Sequence, residues 1–155
     1  MASSVNTTFE RIGMRTLLVL ALLVAAEGKD DKAELKKFEG TWQLVSEVMD
    51  GKEQPADYVK HIRWIFDDKG HWRVEDGGKV IFTGDMKVYA DRNPKAADFT
   101  LTNEGEHKGK IVRALYELDG DTLKQCWAVE RERPRAFDPK PDPGINYSVY
   151  KRLKK

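Results

Sequence analysis

Apolar and polar positions alternate with a period of two along most of the chain after residue 40. This alternation is typical of a β-strand that buries one face and exposes the other. It predicts eight strands, over residues 42–49, 61–67, 71–75, 80–88, 98–102, 112–118, 122–129 and 145–153. In the first strand, Trp42, Leu44, Ser46 and Val48 are expected to share one face.

Short turn sequences connect most of these strands. The segments 67–70, 76–78 and 119–121 are rich in Asp and Gly, the residues that tight reversals favour. The clearest hairpin has its loop at Gly120 and Asp121. Three facing pairs then follow: Leu118 with Leu123, Tyr116 with Gln125, and Ala114 with Trp127.

Helix signals are few and short. Residues 33–38 carry good helix formers before Gly40, and residues 55–60 read as one helical turn that begins with Pro55. The four prolines of residues 130–144 make that segment a surface loop. We therefore predict an all-β fold, an eight-stranded antiparallel up-and-down barrel with a short N-terminal helix, because closure removes the exposed sheet edges.

The N-terminal segment has the pattern of a signal peptide. Arg11 and Arg15 precede an apolar run, residues 16–26, that is too short to span a bilayer and ends in small residues. We expect cleavage after Ala26, so that 1–26 is a signal peptide, 27–155 is the barrel domain and no integral membrane span remains. A start at Met14 and a buried N-terminal helix are alternatives. The expected location is secreted, periplasmic or in the cell envelope.

Size and charge narrow the classes of partner. A chain of 155 residues is the length of one domain, and its 27 Lys+Arg balance 26 Asp+Glu. Nucleic acid is not an expected partner, because phosphate binding requires a basic surface. Cys126 is the single cysteine, so an internal disulfide is excluded and a packing role is expected.

Four motifs resemble those of a known group. Gly40-Thr41-Trp42 resembles the Gly-x-Trp signature of the calycins, which include lipocalins and fatty-acid-binding proteins. Together with residues 50–52, 116–124 and 150–152, it is similar to the uncharacterised lipocalin-like domain family of exported planctomycete proteins, over residues 33–153. The resemblance implies that Trp42 closes one barrel end beneath a basic residue, Arg152 or alternatively Lys151. Many lipocalins carry disulfides, which this chain cannot form.

Signatures of catalysis and metal binding are missing from the sequence. It has no nucleophile elbow, no phosphate-binding Gly-rich loop and no zinc helix. His61, His71 and His107 are far apart, and the hairpin predicted for residues 61–75 sets His71 opposite Phe66. We predict no catalytic residues, no metal site, no cofactor and no enzymatic activity.

Two functions stay open. In the first, the barrel interior binds a small hydrophobic or amphipathic molecule, with Gln125 satisfied by Tyr116, by water or by the ligand. The expected wall residues are Trp64, Phe66, Phe82, Tyr116, Gln125 and Trp127. In the second, large side chains fill the barrel, and the protein is a structural or interaction module of the cell envelope that uses the 130–144 loop.

Overall fold

The computed structural model describes residues 30–154. The predicted signal peptide, its cleavage point and the alternative start at Met14 lie outside this range. No helix within residues 30–154 is both long enough and apolar enough to cross a membrane.

Two short helices and nine strands make up the described chain. Helix α1 covers residues 30–38 and α2 covers Ala56–Val59. The strands are β1 Gly40–Met49, β2 Lys52–Glu53, β3 Ile62–Phe66, β4 His71–Asp76, β5 Lys79–Tyr89, β6 Lys95–Leu101, β7 Ile111–Asp119, β8 Thr122–Val129 and β9 Asn146–Arg152.

Eight of the strands close into an antiparallel barrel. Each pairs with its neighbour in the order β1, β3, β4, β5, β6, β7, β8 and β9, and β9 pairs back onto β1. The predicted fold class is therefore confirmed. The two-residue strand β2 lies outside this ring, where it pairs with the end of β1. It was not predicted, because two residues are too few to show alternation.

The predicted register is right in the β7–β8 hairpin and wrong in the β3–β4 hairpin. In the first, Leu118 faces Leu123, Tyr116 faces Gln125, and Ala114 faces Trp127, as predicted. In the second, Phe66 faces Trp72 rather than His71. The turn is one residue longer than the predicted pairing requires, which buries Trp72 and leaves His71 outside, where its Nδ1 lies 2.5 Å from Asp85 Oδ1.

Strand β6 begins earlier than its sequence suggested. The prediction started at residue 98, whereas the strand starts at Lys95. Ala96 and Ala97 follow, and both are fully buried although they point to opposite faces of the sheet. Ala97 belongs to the barrel core and Ala96 to a second cluster outside it. Both faces are therefore apolar here, and the start of β6 shows no alternation of apolar and polar residues.

Helix α1 and Trp42 close one end of the barrel, called the closed end below. Trp42 is 0% exposed, and its indole Nε1 donates to the carbonyl of Phe38 at 2.7 Å. The guanidinium carbon of Arg152 lies 4.1 Å from the centroid of the Trp42 ring. The predicted contact between Trp42 and Arg152 is therefore present, and Lys151 instead turns outward to Thr122.

Gly40 is required beside this contact. Its φ is +123°, a conformation that side chains disfavour, and an added Cβ would lie 3.2 Å from Nη1 of Arg152. The glycine therefore permits this backbone conformation and leaves the guanidinium room at close range.

A second cluster fastens the 130–144 loop to the outside of the barrel. Cys126 is fully buried there, and its Sγ donates to the carbonyl of Asp138 at 3.1 Å. Arg133 donates to the carbonyls of Ala97 and Ala114 and to Asp98 Oδ1. The loop covers the sheet, and Cys126 is a packing residue, as predicted.

Candidate ligand cavity

A cavity of about 310 Å³ occupies the barrel interior toward the end opposite Trp42, called the open end below. This is the end at which β1 and β8 finish and β9 begins, so Met49 and Val129 lie at its rim. The volume is at the lower limit of small-molecule sites. The barrel is thus filled at one end and open within the other.

Aromatic side chains form the inner part of the cavity wall. The ring centroid of Trp64 lies 4.8 Å from that of Phe99, 5.7 Å from that of Trp72 and 5.5 Å from that of Tyr150. All four residues line the cavity and also pack in the core cluster. They therefore separate the cavity from the closed end.

Gly84 makes room for one of these rings. A Cβ added there would lie 2.2 Å from the carbonyl oxygen of Thr100 and 2.3 Å from the Trp72 ring. The strand can therefore pass beneath the Trp72 indole only without a side chain at this position.

A polar strip crosses three neighbouring strands of the cavity wall. Glu47 of β1 and Gln125 of β8 both face Ser148 of β9 in the strand register. The Ser148 hydroxyl donates to Glu47 Oε1 at 2.8 Å and accepts from Trp127 Nε1 at 2.9 Å. Gln125 is 1% exposed and Glu47 is 4% exposed, so the strip is inside the barrel.

Four buried polar atoms on the cavity wall have no hydrogen-bond partner within residues 30–154. They are Glu47 Oε2, Trp64 Nε1, Trp72 Nε1 and Gln125 Nε2. They are also the complete set of such side-chain atoms in the described chain. An unsatisfied buried polar group costs roughly 1 to 3 kcal/mol, so four around one cavity indicate partners that come from within it.

The electrostatics of the polar strip reflect its burial. Burial raises the pKa of Glu47 and outweighs the opposing effects of Ser148 and Tyr58. Burial, together with the negative charges of Glu47 and Asp76, raises the pKa of Tyr58 to about 12. Burial likewise holds the pKa of Tyr150 well above its usual value. Both tyrosines are thus neutral hydroxyls beside the carboxyl group.

The cavity contains four of the six predicted wall residues. Trp64, Phe82, Gln125 and Trp127 line it. Phe66 points inward but lies deeper, with its ring centroid 5.5 Å from that of Phe38 in the closed end.

Tyr116 also points inward and is not part of the cavity wall. Its ring centroid lies 5.0 Å from that of Phe38, and its hydroxyl donates to Glu34 Oε1 at 3.2 Å. Of the three partners expected for Gln125, Tyr116 is therefore excluded, because Glu34 of α1 engages its hydroxyl and Gln125 Nε2 has no partner within residues 30–154. Burial opposes ionisation of Glu34, but hydrogen bonds and charges from Lys37 and Lys95 outweigh it and lower the pKa of this carboxyl.

Glu47 is a wall residue that the sequence did not reveal. The predicted alternation ran unbroken from Trp42 to Val48 and therefore set Glu47 on the face opposite Trp42. The register shifts between Leu44 and Ser46, and after this bulge Glu47 points inward. No local sequence signal marks the bulge. Its one trace is Val45, an apolar residue next to Leu44 that the bulge leaves on the outside of the barrel, 49% exposed.

The three histidines lie apart, as predicted. His61 and His71 are exposed outside the cavity, and His107 lies at its open end, where Nδ1 is 3.1 Å from Lys110 Nζ. Within residues 30–154, no group of three His, Cys, Asp or Glu side chains could hold a metal ion.

Comparison of the chain with known protein families, curated proteins and solved structures finds no match. The architecture and the cavity are therefore the basis for a functional proposal.

Proposed function

We propose that this protein binds a small amphipathic molecule inside the open end of its barrel. The observation that carries the proposal is the set of four unpartnered polar atoms around one largely apolar cavity. Apolar walls with a few convergent polar groups are the usual composition of a small-molecule site. An apolar ligand body would pack against the aromatic wall, while its polar group would satisfy the strip.

The alternative, an interaction module with a filled barrel, receives less support. That function required large side chains to occupy the interior, whereas about 310 Å³ is open. The 130–144 loop, its expected contact surface, is fastened to the sheet through Arg133 and Cys126. These contacts give the loop a structural role whether or not a protein partner exists.

Export and membership of the calycin group are part of the same proposal. The signal-peptide pattern of residues 1–26 supports passage across a membrane, and Gly40, Trp42 and Arg152 supply the contact that the resemblance implied. We therefore place the protein outside the cytoplasm, as a secreted, periplasmic or cell-envelope binder.

The test is binding of a neutral environment-sensitive dye such as Nile red. Dye emission should rise with the protein, and tryptophan emission should change, because Trp64, Trp72 and Trp127 line the cavity. Val74→Phe should reduce binding by filling the cavity. Val45→Phe, on the outer face of the same barrel, is the matched control. Absence of dye binding, or equal loss in both variants, would contradict the proposal.

A further inference from the structure

The most informative group on the cavity wall is the carboxyl of Glu47, because it is acidic, buried and only half satisfied. Oε1 accepts from Ser148, whereas Oε2 has no partner at hydrogen-bond distance in the described chain, where the Tyr58 hydroxyl is the one further donor that acts on this carboxyl group. No lysine, arginine or histidine forms an ion pair with Glu47 among residues 30–154, although eleven other ion pairs are present there. A buried carboxylate without a counter-charge is costly, so a ligand that brings a positive charge to Oε2 would offset that cost.

The surrounding groups do not supply that charge. The titratable neighbours of Glu47 are Tyr58 and Tyr150, and both are neutral hydroxyls, so Tyr58 can donate a hydrogen bond to the carboxyl group but brings no positive charge. The basic residues on the cavity wall, Lys110 and His107, lie at the open rim and contact each other. Lys110 directly precedes β7, on the far side of β8 and β9 from Glu47.

The aromatic wall favours the same kind of ligand. Trp64, Trp72, Phe99 and Tyr150 enclose the inner cavity with rings 4.8 to 6.0 Å apart, centroid to centroid. Aromatic rings attract cations through their quadrupole, most strongly when the cation has left water, and sets of such rings are a common means of holding ammonium groups. An anionic head group would instead be repelled both by the ring faces and by Glu47.

We infer that the ligand is an amphipathic organic cation, with a protonated amine held between Glu47 Oε2 and the aromatic wall. This inference rests on the proposed binding function and names its ligand class. The indole donors of Trp64 and Trp72 and the amide donor of Gln125 are then free for an oxygen acceptor elsewhere on the ligand. An amine that also carries a hydroxyl, ether or carbonyl oxygen would offer an acceptor to one or two of these donors as well as a donor to Glu47.

The experiment compares three head groups on one eight-carbon chain at neutral pH: n-octylamine, 1-octanol and octanoate, each displacing Nile red from the wild-type protein. We expect octylamine to bind about tenfold more tightly than octanol, since a desolvated charge pair and a cation–π contact together are worth at least that factor. Octanoate should bind most weakly. Octylamine binding no better than octanol would overturn the inference, and so would a preference for octanoate, which would assign the head group to Lys110 and His107.

The variant Glu47→Gln tests whether this carboxyl group causes the preference for octylamine. Glu47→Gln keeps the shape and removes the charge, so the affinity ratio of octylamine to octanol should fall from about ten to about one. Glu117→Gln, an exposed carboxylate on the outer face of β7, is the matched control and should behave as wild type. A preference that persists in Glu47→Gln would overturn the inference. If Glu47→Gln does not fold, the wild-type ranking decides alone.

The two proposals fail differently. Nile red binding with no amine preference removes only the ligand class and leaves the binding function in place. Absence of binding for the dye and for all three probes removes the binding function, and the ligand class with it.

Discussion

Trp42 and Arg152 join the beginning of the first strand to the end of the last, with the guanidinium carbon 4.1 Å from the ring centroid. They are also facing residues in the β1–β9 pairing that closes the barrel. The arginine donates in addition to the carbonyls of Lys37 and Glu39, at the end of α1. One side chain thus holds the helix, the first strand and the last strand together.

Arg152→Ala should lower the free energy of unfolding by about 1 to 3 kcal/mol, because it removes the cation–π contact and leaves two carbonyls without their donor. Arg152→Lys should recover only part of this loss, since an ammonium lacks the planar fork. Urea unfolding measures both. Lys151→Ala, whose side chain turns away from Trp42, is the control and should change stability by less than about 0.5 kcal/mol. Equal effects at the two positions would contradict the assignment.

Glu47→Gln should make the stability of the protein less dependent on pH. Because the folded pKa of Glu47 is raised, the native state holds its proton more tightly than the unfolded chain does. Its contribution is therefore fully present below the ordinary value of 4.5 and is lost as the pH rises through the folded pKa. The variant should be at least as stable as wild type at neutral pH, and urea unfolding across the acid range should show its advantage shrinking on acidification. A stability advantage of Glu47→Gln that grows on acidification would contradict the raised pKa of Glu47.

Glu34→Gln should show the opposite dependence. The folded pKa of Glu34 is lowered, so its contribution is present above the ordinary value and is lost as the pH falls through the folded pKa. At neutral pH we expect a loss of about 1 to 3 kcal/mol, because the charge-assisted hydrogen bonds to Lys37 and Lys95 are weakened. Glu39→Gln, exposed at the end of the same helix, is the control. A loss that persists unchanged in acid would show that shape, not charge, holds the helix.

Gln125→Leu should leave the barrel folded and change what it binds. Replacing a buried amide whose Nε2 has no partner by an apolar group of similar size removes a desolvation cost, so the free energy of unfolding should stay the same or rise. Affinity for a wholly apolar probe such as n-octane should increase relative to 1-octanol, which carries a hydroxyl oxygen. Gln54→Leu, outside the barrel, should leave the ratio unchanged. A large loss of stability in Gln125→Leu would mean that the amide has a structural partner.

Expression in the native host should yield a protein that begins at Glu27, since the apolar run of residues 16–26 ends in Ala25 and Ala26. Intact-mass measurement identifies the first residue directly. Ala26→Leu should slow cleavage by replacing the small residue at the expected site. A mature protein that retains residues 1–26 would contradict the export prediction.

Strand alternation was enough to predict the barrel, because a closed antiparallel sheet repeats one simple rule eight times. It also placed Gln125 and Trp127 correctly, since both count back from a well-marked turn at Gly120. Alternation failed to place residues correctly where a turn or a strand contains one residue more than the predicted pairing. The β3–β4 turn is longer than the predicted pairing required, so Trp72 was missed and His71 was paired wrongly.

Long-range partners were the other limit. The Tyr116 side chain lies on the predicted face, yet its hydroxyl donates to Glu34, which is 82 residues away in sequence. Glu34 belongs to α1, and no pattern in the sequence predicts where this helix packs on the barrel. Glu34 itself resembles an exposed helix former in sequence. Only its burial against Lys95 and Tyr116 distinguishes it from the neighbouring charged positions of α1.

The bulge in β1 decides which residues in the second half of this strand face the cavity. If the same residues paired without this bulge, strict alternation would turn Ser46 and Val48 to the interior and Glu47 to solvent. The cavity would then lose the one carboxyl group that residues 30–154 place on its wall. Deleting Val45 would instead remove the bulge and keep Glu47 inward, because Leu44, Ser46 and Glu47 would then alternate in, out and in. In a barrel of this kind, the pairing register of a strand determines specificity as much as the side chains it carries.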